Sequence, residues 1–158
     1  MKRLAWIAAL GTAALLSSGP AAAQDAVKAA EVPADSVSLH YYRPDGNYAG
    51  WGVHFWESFE KVQDGQVVGA KTKSDAPIMG ITWGNPMQPT GKDGFGVYWQ
   101  VPANEFRNGK INYIIHRGDS KDCVKDSAWF LPQGRQIFIN QGDCTAYLTL
   151  EEALKARK

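Results

Sequence analysis

The stretch Gly50-Trp51-Gly52-Val53-His54-Phe55-Trp56 decides the fold. Within its last five residues, side chains that suit a core alternate with polar or amphipathic rings over residues 53–56, which is the period of two that a half-buried β-strand shows. We therefore predict a strand over these five residues, with Val53 and Phe55 facing the core. His54 and Trp56 then project from the opposite face, so that an imidazole and an indole lie side by side there.

Further β-like runs flank this stretch, with turn residues between them. Residues 111–117 carry almost no charge and are therefore predicted to form a central strand. Other predicted strands cover residues 37–42, 95–101, 128–131, 136–140 and 145–148. Helical character is confined to residues 151–157, which Thr149 could cap. About seven short strands at this spacing predict an all-β protein, an antiparallel β-sandwich of immunoglobulin-like type with a short C-terminal helix. A barrel is the alternative.

The first residues have the composition of a secretory signal peptide. Lys2 and Arg3 give a positive start, residues 4–16 form an apolar run, and residues 21–23 supply the small side chains that a signal peptidase needs. A membrane anchor is the alternative, but the run is short for a bilayer span. We predict a signal peptide over residues 1–23, export to the periplasm or the medium, and no membrane attachment after cleavage.

The rest of the chain is predicted to divide into a flexible linker over residues 24–36 and one domain over residues 37–158. Loss of Lys2 and Arg3 with the signal leaves 15 of the 17 Lys and Arg against 16 Asp and Glu, a net charge of −1. A near-neutral chain has no long-range field to gather nucleic acid or an anionic membrane. The expected partner is therefore uncharged, or small and locally recognised, and the protein is expected to be a monomer.

Tryptophan is unusually frequent in this domain. Five of the six tryptophans follow the predicted signal, at Trp51, Trp56, Trp83, Trp99 and Trp129. Some of them must fill the core, because each buries a large apolar area. A domain of this size rarely needs five for packing alone, so one or two are expected to be exposed and functional.

Cys123 and Cys144 are the two cysteines of the chain. In an oxidising compartment such a pair tends to form a disulfide. The closed loop of about 20 residues corresponds to a stabilisation of about 3 kcal/mol in the chain-entropy description. Two free thiols or a partial metal site are the alternatives, but a cysteine pair without neighbouring ligands makes a poor zinc site. We predict the disulfide.

No pattern of catalytic residues stands out. The histidines at 40, 54 and 116 do not have the spacing of a metal-binding helix, no Gly-x-Ser-x-Gly motif is present, and no carboxylate pair suggests glycoside hydrolysis. We therefore expect a binding protein without cofactor or metal rather than an enzyme. A small hydrolase assembled from residues distant in the sequence is the alternative.

Two features are candidates for binding. The His54 and Trp56 rings suit the apolar face of a pyranose, and packing under the loop at residues 85–94 is an alternative of equal weight. The loop at residues 117–126 offers Lys donors and Asp acceptors, which are the groups that a vicinal diol needs. Taken alone, this second pattern is more typical of a solvated surface loop.

Several motifs in a fixed order resemble the pullulanase-associated domain, which is carbohydrate-binding module family 41. The resemblance covers residues 37–150, and each motif alone would be weak. The matching stretches are LHYYRPDGNY at 39–48, GWGVHFW at 50–56, TGKDGFGVY at 90–98, IIHRGDSKD at 114–122 and the final strand pair with its QGD turn at 137–147.

This resemblance implies a β-sandwich that binds α-glucans: pullulan, amylopectin, glycogen and maltooligosaccharides. In the family, the sugar stacks on two aromatic or imidazole rings, and a Lys and an Asp from a later loop bind its hydroxyls. These positions fall on His54, Trp56, Lys121 and Asp126. The family usually accompanies debranching enzymes, so a separate amylolytic enzyme is a further expected partner. A protein-interaction or inhibitor module on the same fold is the alternative function.

Three departures from the family pattern affect these expectations. No catalytic domain follows in the sequence, so a free-standing module is expected. The segment at residues 57–80 is longer than the family pattern suggests, and it could cover or extend the site. Cys123 and Cys144 do not belong to the pattern.

Overall fold

In the computed structural model, which describes residues 27–157, these residues form eleven strands and one α-helix. Two turns of 3₁₀-helix lie at Ala103–Glu105 and Leu131–Gln133. The strands and the helix are, in chain order, β1 Ser36–Tyr42, β2 Gly52–Glu57, β3 Lys61–Gln63, β4 Gln66–Gly69, β5 Ala76–Pro77, β6 Gly91–Lys92, β7 Val97–Pro102, β8 Lys110–Arg117, β9 Ser120–Lys121, β10 Ser127–Phe130, β11 Gln136–Asn140 and α1 Leu150–Lys155.

Two sheets form the sandwich. The first sheet has the order β11-β1-β7-β6, and the second has the order β10-β8-β2-β5, with β9 paired to the end of β8. β8 lies between β10 and β2, as the uncharged run at residues 111–117 predicts. β3 and β4 form a separate hairpin. The predicted all-β class, the sandwich and the short C-terminal helix are confirmed.

One strand pair differs from the antiparallel arrangement. β11 runs parallel to β1, with Leu39 opposite Ile137 and Tyr41 opposite Ile139. Parallel neighbours need a long connection, and almost the entire domain separates these two strands in sequence. Residues 145–148, predicted to be the hairpin partner of residues 136–140, contact β11 through a single bridge, which joins Phe138 and Tyr147.

Alternate residues of both sheets meet in one apolar layer. Leu39 and Trp99 come from the first sheet, while Val53, Phe55 and Trp129 come from the second, and all are at most 1% exposed. The same alternation that places Val53 and Phe55 in this core leaves the intervening residues of β2 on the outer face of the second sheet.

The outer face of the first sheet is covered by α1. Ala153 of the helix packs with Phe95 and Phe138 in a second, smaller apolar cluster. The helix covers Leu150–Lys155 rather than residues 151–157, and Thr149 caps it as predicted, since its hydroxyl accepts a hydrogen bond of 3.2 Å from the backbone N–H of Glu152.

Residues 27–35, part of the predicted linker, lie against the sandwich. The Ala30 N–H donates to the Asp93 carboxylate over 2.9 Å, and the Gly94 N–H donates to the Lys28 carbonyl over 2.8 Å. A side chain at Gly94 would collide with this segment, since its Cβ would lie 2.7 Å from the Lys28 oxygen. This part of the chain is therefore packed, in contrast to the flexible linker expected from the sequence. The predicted signal peptide, residues 1–23, lies outside the described residues.

Cys123 and Cys144 form the predicted disulfide, with a Cα–Cα distance of 5.6 Å. It joins the loop after β9, on the second sheet, to the turn after β11, on the first. Within residues 27–157, no helix has the length and apolar character needed to cross a membrane.

Candidate functional site

The outer face of β2 carries two neighbouring rings. The centroids of the His54 and Trp56 rings lie 5.4 Å apart, and their planes are inclined by 29°. Both side chains are half-buried, whereas Val53 and Phe55 on the other face of the strand are fully buried. The alternation predicted from the sequence is thus present in the structure, and it places the two flat rings side by side on the surface.

An open groove of about 650 Å³ runs over these rings. Ile114 of β8 lies opposite His54, and Pro77 of β5 lies opposite Trp56, so both belong to the floor and near wall of the groove. Asp75 and Ala76 continue that wall. These last residues belong to the segment at 57–80, which therefore extends the groove.

Lys121 and Asp126 line the same groove. Lys121 lies on β9, where it pairs with His116 of β8, and Asp126 ends the loop that follows. The Lys121 Nζ lies 3.3 Å from an Asp126 oxygen, and the two side chains are 33% and 63% exposed. An exposed ion pair contributes little to folding. Its charged donor and acceptor can therefore bind a ligand at little cost to the fold.

Trp83 forms a wall that the sequence prediction missed. Its ring stacks on the His116 imidazole at 4.0 Å with an angle of 5°, and its indole N–H donates to Asp119 over 3.2 Å. The Lys121 ammonium lies 5.5 Å from the same ring. The ring stands at 64° to the His54 imidazole, at a centroid distance of 6.1 Å. Trp83 and His54 therefore form a corner of the groove.

The support behind Trp83 is a fully buried histidine. His116 is 0% exposed, and its Nδ1 lies 2.8 Å from the Gly118 carbonyl, to which it donates. The number of tryptophans predicts that one or two are exposed; Trp56 and Trp83 are half-buried, whereas Trp51, Trp99 and Trp129 are buried. The segment around Trp83 has no periodicity that would place it, so composition was the only signal for this residue.

The alternative position for the two rings, under the loop at residues 85–94, is not found. Met87 of that loop pairs with Val53 through backbone hydrogen bonds of 3.0 and 2.9 Å. The groove is lined instead by Ile81, Thr82 and Trp83 from the preceding segment. This leaves the outer ring surfaces of His54 and Trp56 facing the groove.

The surroundings of the His54 imidazole favour its neutral form. Burial lowers its pKa, and the charge of His116 acts in the same direction, whereas the Thr82 backbone and Asp126 oppose the shift. An uncharged imidazole next to an indole gives a mostly apolar platform, while Lys121 and Asp126 add one cation and one anion at its edge. Within the part of the chain that the structure describes, no group of His, Cys, Asp and Glu could hold a metal ion.

The sequence of residues 35–148 matches the family model described as the bacterial pullanase-associated domain. A curated relative, an alpha-amylase from Streptomyces lividans, is 33% identical over 102 residues. The matched region covers 63% of this chain but 9% of the amylase, so this chain corresponds to a small part of that protein.

Solved structures share the fold at lower identity. A Klebsiella pneumoniae pullulanase complexed with maltotriose matches 82% of this chain with a TM-score of 0.62 and 22% identity, and the match covers 12% of the pullulanase. A structure described as alpha-glucan recognition by family 41 carbohydrate-binding modules from streptococcal virulence factors matches 77% of this chain and 50% of that chain. Its TM-score is 0.54 and its identity 20%.

The family match covers most of the domain and includes β1, β2, the groove and the Lys121–Asp126 loop. It confirms the resemblance drawn from the ordered motifs of the sequence. This chain belongs to the bacterial pullanase-associated domain family, the family whose features the sequence motifs share.

Proposed function

We propose that this domain is a carbohydrate-binding module that binds α-glucan chains in the groove over His54 and Trp56. Family membership and the shared fold support a carbohydrate-binding module. The observation that supports the specific site is the convergence of a two-ring platform and the Lys121–Asp126 ion pair on one groove.

Stacking on the platform follows from the shape of a glucose unit. One face of a pyranose exposes mainly C–H groups, and it packs against the flat faces of the Trp56 indole and the neutral His54 imidazole. Such sites are mostly apolar, with a few polar groups that fix the orientation of the ligand. The wall at Trp83 then limits the directions in which a chain can leave the platform.

Hydroxyl recognition is assigned to the ion pair. The Lys121 ammonium donates to a sugar oxygen, while the Asp126 carboxylate accepts from a neighbouring hydroxyl. Hydrogen bonds to charged groups are stronger than neutral ones. The two residues thus supply one donor and one acceptor, which match the hydroxyls of a vicinal diol.

The proposal is one of binding without catalysis, by a monomer. Export to the periplasm or the medium, through the signal peptide predicted at residues 1–23, would bring the domain to extracellular or periplasmic glucan. A separate amylolytic enzyme acting on the same polymer is a further proposed partner. The convergence of polar groups at the groove favours a sugar over the protein-interaction or inhibitor alternative, for which we expect an apolar patch without such groups.

Affinity electrophoresis tests the proposal. The protein is run in native gels containing amylopectin, pullulan or glycogen, with a gel containing the β-glucan hydroxyethylcellulose as control. We expect retardation in at least one α-glucan gel and none in the control gel. Unchanged mobility in all three α-glucan gels would contradict the proposed function.

A further inference from the structure

The loop at residues 122–126 carries the polar half of the groove. Lys121 precedes it and Asp126 ends it, and both side chains reach the groove. Between them, Val124 is 89% exposed, so its side chain makes little packing contact with the sandwich. A loop with so little apolar contact needs other anchors if it is to hold two charged groups in fixed positions.

Asp122 is the first anchor. Its carboxylate accepts a hydrogen bond of 2.7 Å from the Tyr41 hydroxyl and bonds of 3.3 and 3.2 Å from the Gly142 N–H. Its own N–H donates to the Ile115 carbonyl over 2.9 Å. Burial and the neighbouring Asp122 carboxylate raise the pKa of Tyr41, so this hydroxyl stays a donor.

The disulfide is the second anchor, one residue further along. Cys123 is bonded to Cys144, which lies two residues after Gly142 in the segment that follows β11. A residual space of only about 10 Å³ lies beside the disulfide, lined by Ile115 of β8 and Ile139 of β11. The disulfide therefore fastens the loop at the seam between the two sheets.

Both anchors connect the loop to the first sheet, although the groove lies on the second. Tyr41 belongs to β1, and residues 141–144 follow β11, both in the first sheet. Lys121 belongs to β9 and pairs with β8 of the second sheet. The position of the ion pair thus depends on contacts made across the sandwich.

We infer that Asp122, Cys123 and Cys144 are positioning residues for sugar binding. They hold Lys121 and Asp126 in place. This inference rests on the proposed function. Each charged side chain that is ordered only when the ligand arrives lowers the affinity, because its lost freedom opposes binding. Anchors that order the loop in advance remove this cost.

A purely structural role makes a different prediction. A disulfide stabilises the folded domain whether or not the loop binds sugar, so a lower melting temperature after its removal would fit both views. Only a positioning role predicts that the folded variant without the disulfide binds sugar more weakly and that this loss depends on the Lys121–Asp126 ion pair.

A double-mutant cycle tests whether the loss of affinity depends on the ion pair. The Cys123→Ala/Cys144→Ala variant is compared with wild type, and the same change is made in a Lys121→Ala/Asp126→Ala background. Maltotriose affinity is measured by isothermal titration calorimetry, extended to millimolar ligand, at a temperature where circular dichroism shows all four proteins folded. We expect about ten-fold weaker binding from disulfide removal in the wild-type background and no further loss in the background without the ion pair.

Asp122→Asn is a second variant that keeps the disulfide and the side-chain shape. It removes the carboxylate that Tyr41 and Gly142 share, and we expect about three-fold weaker binding. This variant decides the question if the cysteine variant does not fold. Val101→Ala is the matched control, because it lowers stability in the core of the first sheet without touching the loop, and it should leave the affinity unchanged.

The outcomes separate the two proposals. If wild type does not bind maltotriose or any α-glucan, the proposed function itself is wrong. If wild type binds and the folded anchor variants bind equally well, the positioning role is wrong while the proposed function stands. An equal loss of affinity with and without the ion pair would also overturn the positioning role.

Discussion

The two halves of the groove are built in different ways. The ring half lies on β2, where His54 and Trp56 project from a strand whose opposite face is buried in the core. The polar half lies at the two ends of the loop at residues 122–126, which the Asp122 carboxylate and the Cys123–Cys144 disulfide join to the first sheet. The ring platform is therefore rigid as a result of folding, whereas the ion pair needs its own anchors.

We therefore expect the two halves of the groove to respond differently to mutation. On a strand, neighbouring residues face opposite sides. A mutation at one residue should therefore affect stability, whereas a mutation at the next residue should affect binding. On an anchored loop, a residue that touches no ligand can still affect binding through its neighbours. The following predictions test this contrast, from the largest expected effect to the smallest.

Phe55→Ala removes a fully buried ring from the core side of β2. We expect the free energy of unfolding to fall by about 3–5 kcal/mol, because the ring leaves a cavity between the sheets. Urea denaturation followed by tryptophan fluorescence measures this change. His54→Ala, the neighbour on the outer face, is the control and should alter stability by no more than about 1 kcal/mol. Equal losses in both variants would contradict the assignment of faces.

Trp56→Ala removes most of the stacking platform while leaving the core intact. We expect maltotriose affinity to fall by at least about 30-fold, the loss typical of a central aromatic contact. Calorimetric titration and retardation in amylopectin gels measure the effect, and circular dichroism checks that the fold is unchanged. A folded variant with wild-type affinity would place the sugar elsewhere.

Lys121→Ala and Asp126→Ala each remove one charged hydrogen-bonding group. We expect each change to weaken maltotriose binding by about ten-fold, because hydrogen bonds to charged groups are worth more than neutral ones. Lys125→Ala is the matched control, since it removes an exposed cation from the same loop, and that cation does not line the groove. If Lys125→Ala weakened binding as much as Lys121→Ala, the ion pair would have no specific role.

The pH dependence of stability gives the smallest effect. The pKa of His54 is lower in the folded protein than in the unfolded chain, mainly because the ring is partly buried. Its contribution to stability is therefore complete above the unfolded pKa of about 6.5 and is lost as the pH falls through the lower folded value. We expect His54→Phe to reduce the fall in Tm between pH 7 and pH 5 by about 2 °C, measured by differential scanning calorimetry. An unchanged pH profile would argue against this shift.

The ring half could be predicted from the sequence because its signal is local. Four consecutive residues, 53–56, alternate, and alternation fixes the face of each side chain once the strand forms. The grouping of Lys121 and Asp126 with His54 depends on contacts between strands far apart in sequence, and it came from family resemblance. No local pattern of charges could have separated this loop from an ordinary surface loop.

Other features depend on contacts that no short pattern encodes. Trp83 is held by a buried histidine more than 30 residues away and by Asp119. The parallel pairing of β1 and β11 joins nearly opposite ends of the domain. Residues 27–35 have a linker-like composition, yet their backbone groups find partners at Asp93 and Gly94. In each case a hydrogen bond or ring contact across the fold overrides weak local propensity.

The packing of Lys28 and Ala30 beside Asp93 has a consequence for the orientation of the domain. This segment lies with the first sheet, while the groove lies on the outer face of the second, and packed sheets are separated by about 10 Å. A bead, a label or another domain joined ahead of residue 27 would be attached behind the sandwich. The groove on the second sheet would then stay open to solvent, so immobilisation through this end is the arrangement that suits a capture reagent if the groove binds α-glucans as proposed.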